Sequence, residues 1–132
     1  MLTRVPSTLP ADVEDLITRI IGAAIEVHRH LGPGYLESTY HRALCVELRL
    51  REIPFQFKPK INVTYKGIQI HGQQIDLIVD SKVIVEVKAV SQLEEIHGNQ
   101  VVSYLRSTGL RAGLLMNFNS VVLKAGIRRI VR

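Results

Sequence analysis

The sequence predicts an α/β (α+β) domain in which a mixed β-sheet, built on a three-stranded antiparallel meander, is flanked by helices. Three observations lead there. Two stretches near the N-terminus repeat apolar residues at three- and four-residue spacing, and residues 55 to 90 alternate with the two-residue rhythm of strands broken by tight turns. A helical pattern then follows the most apolar strand, which makes the next strand its parallel neighbour.

The 132 residues are enough for one domain that buries about two thirds of its unfolded surface. Residues 11–132 are read as that domain and residues 1–10, with two prolines and no periodicity, as a loose arm. Charges break every apolar run well short of the roughly twenty residues a membrane span needs. The N-terminus lacks the basic-then-apolar order of a signal peptide, so a cytoplasmic protein without membrane association is expected. Cys45, the single cysteine, lies among apolar neighbours and reads as a buried structural thiol. The net charge of +5, to which Lys124, Arg128, Arg129 and Arg132 contribute, is compatible with a polyanionic partner. The lack of tryptophan argues against a surface built to stack single-stranded bases.

From about Asp12 to Leu31 the apolar residues Val13, Leu16, Ile17, Ile20, Ile21, Ala24, Ile25 and Leu31 define an amphipathic helix, with Asp12, Glu14 and Asp15 near its positive end. Leu31-Gly32-Pro33-Gly34 stops it. A second helix is expected from about Tyr35 to Arg51, with Glu37 in its first turn on the face of His41, Leu44 and Leu48. Phe55 to Tyr65 alternates as one half-buried strand, in which Pro59 calls for an edge position or a bulge. Lys66-Gly67 turns the chain into a second strand, whose apolar phase slips between Ile70 and Ile75. A bulge near Gly72 absorbs the slip and turns Asp76 to the face opposite Ile75 and Leu77.

The next turn decides a chemical question. A three-residue loop, Asp80-Ser81-Lys82, pairs Val79 with Val83 and sets Asp76 directly across from Glu86; a two-residue loop would turn Asp76 to the wrong side. The three-residue loop is the expectation.

Val83 to Val90 is the central strand. Its β-branched residues indicate cover on both sides, yet Glu86 and Lys88 share a face. Burying both charges costs several kcal/mol unless they are paired, hydrogen-bonded or metal-bound. The strand therefore carries either a structural ion pair or a catalytic one. Ser91-Gln92-Leu93-Glu94 has the capping-box spacing for a helix start, and the helix presents His97, Gln100, Val101 and Tyr104 along one side before stopping at Gly109. Ala112 to Phe118 reads as a buried strand. The remainder reads as a short strand pair with turns at Asn119-Ser120 and Ala125-Gly126.

Asp76, Glu86 and Lys88 would thus meet on one sheet face. Two carboxylates and a main-chain carbonyl such as that of Val87 suit Mg²⁺ or Mn²⁺, and a lysine beside such an ion can position or deprotonate an attacking water. That is equipment for metal-assisted phosphodiester hydrolysis.

In these features the sequence resembles the PD-(D/E)XK nuclease superfamily. Asp76 with Glu86-Val87-Lys88 matches its D…ExK signature, although Ile75 stands where the superfamily name has proline. Gln100-Val101-Val102-Ser103-Tyr104 is similar to the QxxxY of RecB-like members. Gly34-Tyr35-Leu36-Glu37-Ser38-Thr39-Tyr40 is the motif that names the GxxExxY protein family, whose likeness runs from about Ile21 to Ile130. The resemblance implies a restriction-endonuclease-like core and a nuclease acting on DNA or RNA. Within it, Asp76, Glu86 and Val87 are the metal residues and Lys88 activates water. Glu37 completes the metal shell or orients the water, and Gln100 with Tyr104 supports Lys88 and the scissile phosphate. Glu37, Gln100 and Tyr104 are expected to approach from helices on the same face of the sheet. A nuclease this small would cut a duplex as a homodimer or with a partner protein. The alternative is a catalytically inactive nucleic-acid-binding or partner-subunit module on the same fold.

Overall fold

Helix α1, Ala11–Leu31, forms where the apolar stripe requires it. Leu16, Ile17, Ile20, Ala23, Ala24 and Val27 are buried along one face, with Val13, Ile21, Ile25 and Leu31 packed beside them. This is a computed structural model, and it describes residues 7–132. Of the arm expected over residues 1–10, residues 1–6 lie outside those described, and Leu9 is buried in the core. Near the end of α1, His28 reaches across the fold, its Nε2 bonding the main-chain oxygen of Ser120 at 2.7 Å.

Helix α2, Glu37–Leu50, starts two residues later than expected because Tyr35 and Leu36 belong to the loop. Gly34 there has φ 109°, and the Tyr40 hydroxyl closes the loop by donating to Gly32 O at 2.5 Å and accepting the Tyr35 N–H at 3.0 Å. Tyr40 is fully buried and stacks on Phe118 at 4.9 Å between ring centres.

The expected Phe55–Tyr65 strand is two strands, β1 (Phe55–Phe57) and β2 (Lys60–Tyr65). They part at Lys58-Pro59, where Lys58 takes φ 49° and Pro59 has no N–H for a ladder. The return strand divides likewise into β3 (Ile68–Gln74) and β4 (Leu77–Val79). Each long strand therefore contributes its near half to the main sheet and its far half to a projecting two-stranded hairpin, β2–β3. The hairpin turns at Lys66-Gly67, both at positive φ, and its register shifts where His71-Gly72 opposes Asn62, the bulge expected near Gly72.

Strand β5, Val83–Lys88, pairs antiparallel with β4 through Leu77↔Val85, Ile78↔Ile84 and Val79↔Val83. That is the three-residue loop, made by Asp80 and Ser81 at positive φ with Lys82 N–H donating to Val79 O at 3.0 Å. Helix α3, Glu95–Thr108, crosses over to β6, Ala112–Asn117, which lies parallel to β5. The expected cap at Ser91 is not used. The helix begins three residues later, where the Glu94 N–H donates to His97 Nδ1 at 2.9 Å, so His97 serves the helix start. After β6 the chain makes a 3₁₀ turn, Leu123–Gly126, and one strand, β7 (Ile127–Val131), antiparallel to β6; the expected final strand pair is thus a single strand.

The main sheet runs β1-β4-β5-β6-β7 between two helical layers. Val83, Val85 and Val87 face α1 and α2, whereas Ile84 faces α3 with Val101, Tyr104 and Leu105. α3 lies close on β6 because Gly113 has no side chain, a Cβ there falling 2.6 Å from Val101 Cγ1. Gly113→Ala is expected to force that contact apart and destabilise the fold by about 1–3 kcal/mol. Equal urea midpoints for the two proteins would refute it.

Candidate active site

Asp76 is the residue just before β4 at which the β4–β5 register reaches Glu86, and the two are tied reciprocally. The Asp76 N–H donates to Glu86 Oε1 and the Val87 N–H donates to Asp76 Oδ2, both at 2.8 Å. Each carboxylate is thus aimed by the other strand's main chain, and neither joins an ion pair among the described residues. Glu86 is only 3 % exposed; burial first, and then the Asp76 carboxylate, push its pKa up to about 8. The structural ion pair first considered for the central strand does not form. Lys88 Nζ, half-buried, donates instead to Gln100 Oε1 at 3.3 Å.

Gln100 and Tyr104 stand one turn apart on α3, on the face that receives Ile84 and so also Glu86 and Lys88. The Tyr104 hydroxyl donates to Gln74 O at 3.2 Å, joining α3 to the base of the hairpin two residues before Asp76. Burial, and then the charges of Glu86 and Asp76, raise the phenol to about 12, so it stays a protonated donor.

Glu37 does not come from the same side. α2 packs in the opposite layer through Tyr40, Leu44 and Leu48, a correction to the arrangement expected, and Glu37 is exposed in its first turn. Its route to the site is His41, one turn on. His41 is buried, stacks on Phe57 at 4.8 Å, and donates from Nε2 to Asp76 O at 3.0 Å. A carbonyl only accepts, so the proton sits on Nε2. Burial lowers the His41 pKa against the pull of Asp76 and Glu37, keeping the ring neutral. Lys58 N–H donates to the same carbonyl at 2.9 Å.

Two of these residues had no role assigned from the sequence. His41 carried a usable signal, its four-residue spacing from Glu37. Asn117 carried less, being the polar end of a buried strand. Its amide brackets Val90, accepting the N–H at 3.0 Å and donating to the carbonyl at 2.8 Å, and this holds the chain leaving β5.

The family model of the PD-(D/E)XK nuclease superfamily matches residues 14–130. The chain belongs to the PD-(D/E)XK nuclease superfamily. No curated protein and no solved structure matches it. Membership in this superfamily implies a nucleic-acid substrate, and PD-(D/E)XK nucleases generally use divalent metal ions. The donor set fits such an ion: two adjacent carboxylates, one deeply buried, with hard oxygens and no bonded cation between them. Among the described residues, no three His, Cys, Asp or Glu side chains gather as a set that could hold a metal. No helix among them is long and apolar enough to cross a membrane.

Proposed function

We propose that this superfamily member is a metal-dependent nuclease of the GxxExxY type, akin to the RecB-like QxxxY members, hydrolysing phosphodiester bonds of DNA or RNA. The observation that carries the reading is the reciprocal Asp76 and Glu86 pair with Lys88 on the same face. In this reading Asp76, Glu86 and the Val87 carbonyl hold Mg²⁺ or Mn²⁺, which when bound polarises the phosphate and acidifies the attacking water. Lys88 orients that water from Nζ, and Gln100 Oε1 fixes the lysine in place by accepting an Nζ–H at 3.3 Å. Tyr104, protonated, keeps the hairpin base beside the site, while Glu37 completes the metal shell or orients the water from the α2 side.

The family match over residues 14–130 supports treating residues 11–132 as one domain. We take the protein as cytoplasmic, and as a homodimer or partnered subunit where it cuts a duplex. The test is incubation with labelled single- and double-stranded DNA and RNA, in Mg²⁺, in Mn²⁺ and in EDTA. Cleavage that requires the metal is expected, and intact nucleic acid in every combination overturns the reading. The placement of Glu37, exposed on the helical layer opposite Gln100 and Tyr104, favours a second one, an inactive nucleic-acid-binding module. It predicts affinity without turnover, unchanged in Glu86→Gln.

A further inference from the structure

The β2–β3 hairpin stands outside the main sheet, and every residue of β3 is exposed. Between the hairpin and α3 lies an open groove of about 560 Å³. Asn62, Thr64 and Gln73 line one wall, and Ser103, Arg106 and Ser107 the other. No carboxylate among the described residues lines it. His71 Nδ1 bonds Asn62 Oδ1 at 2.7 Å across the bulge, which occupies the amide's acceptor and leaves its two N–H donors without a partner among the described residues.

The charge distribution matches this lining. None of the chain's 12 acidic residues falls between Ile53 and Ile75, the hairpin segment, or between Ile96 and Thr108 of α3, and these two stretches carry Lys58, Lys60, Lys66 and Arg106. The groove also adjoins the carboxylates. Ser103 follows Gln100, the acceptor of Lys88 Nζ, by one helical turn, and Tyr104 holds the hairpin at Gln74, two residues before Asp76.

We infer that this groove binds one nucleic-acid strand by its phosphodiester backbone and leads it toward Asp76, Glu86 and Lys88. Neutral donors and Arg106 contact phosphate and sugar oxygens, which fixes the strand's position without reading its bases. One helix and one ribbon make a channel for a single strand, with the broader positive field drawing the polyanion in. The inference rests on the proposed nuclease function for the fate of the strand, but not for its binding.

The test is fluorescence anisotropy of labelled single-stranded DNA and RNA in EDTA with the whole chain, so that binding is read without cleavage. Arg106→Ala is expected to weaken binding about three- to tenfold at 0.1 M salt and to lower the salt slope by about one. Gln73→Lys is expected to tighten binding by a similar factor, and Arg19→Ala, exposed on α1 in the opposite layer, to leave it unchanged. All three positions are exposed, so folding is not at issue for the arginines, and the gain at Gln73 cannot come from misfolding. Equal affinities for all variants, or no binding of either strand at 50 mM salt, overturns the groove. Metal-dependent cleavage by a protein whose affinity ignores both groove variants sinks the groove and spares the nuclease. Groove-dependent affinity with no cleavage in any metal does the reverse.

Discussion

Lys88→Ala is expected to remove metal-dependent cleavage, lowering kcat by about 10²–10⁴ while the protein stays folded. The argument is geometric. Lys88 shares a face with Glu86, and its Nζ makes one bond, to Gln100 Oε1 at 3.3 Å, rather than a salt bridge to either carboxylate. Removing it therefore leaves no buried charge newly unpaired, only a half-buried amide that water can reach, and stability should change by less than about 1 kcal/mol. Gln100→Ala leaves the ammonium in place without its acceptor and should cost less, about tenfold. Asp76→Asn keeps an oxygen to accept the Val87 N–H but removes a charge, so it should raise the metal concentration needed for half-maximal rate. The measurement is single-turnover cleavage across a metal titration, with circular dichroism confirming the fold. Full activity in Lys88→Ala would remove the lysine from the mechanism. Loss of activity together with loss of helical signal would show that its role is structural.

The register that brings Asp76 opposite Glu86 was legible because parity is unforgiving on a strand. One residue more or less in the Asp80 turn moves every side chain of β4 to the other face, and only one choice buries Leu77 and Val79 with Val83 and Val85. The bulge at His71-Gly72 was legible for the same reason. The division of each long strand at Lys58-Pro59 and Ile75-Asp76 was not, since alternation continues unchanged whether a strand stays in one sheet or bends away into another. The side from which Glu37 comes was hidden too: the apolar stripe of α2 tells which helix face is buried, not which face of the sheet it covers. Ser91 met the spacing of a capping box, but the preceding residue is held by Asn117, 27 positions further on, and no local pattern reports that contact. His41 illustrates the same limit. Its spacing from Glu37 is local, while its bond to Asp76 spans 35 residues.

The metal-free protein should become less stable as the pH rises, and Glu86→Gln should abolish that decline. Burial and the facing Asp76 carboxylate raise the Glu86 pKa from an ordinary 4.5 to about 8. Below 4.5 the carboxyl is protonated whether the chain is folded or unfolded, and the stability it confers is fully present. Between 4.5 and 8 the unfolded chain releases the proton and the folded one keeps it, so unfolding gains free energy with each pH unit; above 8 both forms are ionised and the decline stops. Each unit is worth about 1.4 kcal/mol, so the loss across the window is on the order of 5 kcal/mol. The amide that replaces the carboxyl in Glu86→Gln stays neutral at every pH and still offers an oxygen to the Asp76 N–H. Wild type and Glu86→Gln should therefore unfold at similar urea concentrations at about pH 5 and separate progressively toward about pH 8, with the variant more stable. A bound divalent cation compensates the paired carboxylates, so Mg²⁺ or Mn²⁺ at about pH 8 should raise the melting temperature of the wild type and not that of the variant. Parallel pH curves for the two proteins would mean that Glu86 ionises without penalty, and the carboxylate pair would then lose its physical reason to recruit a metal.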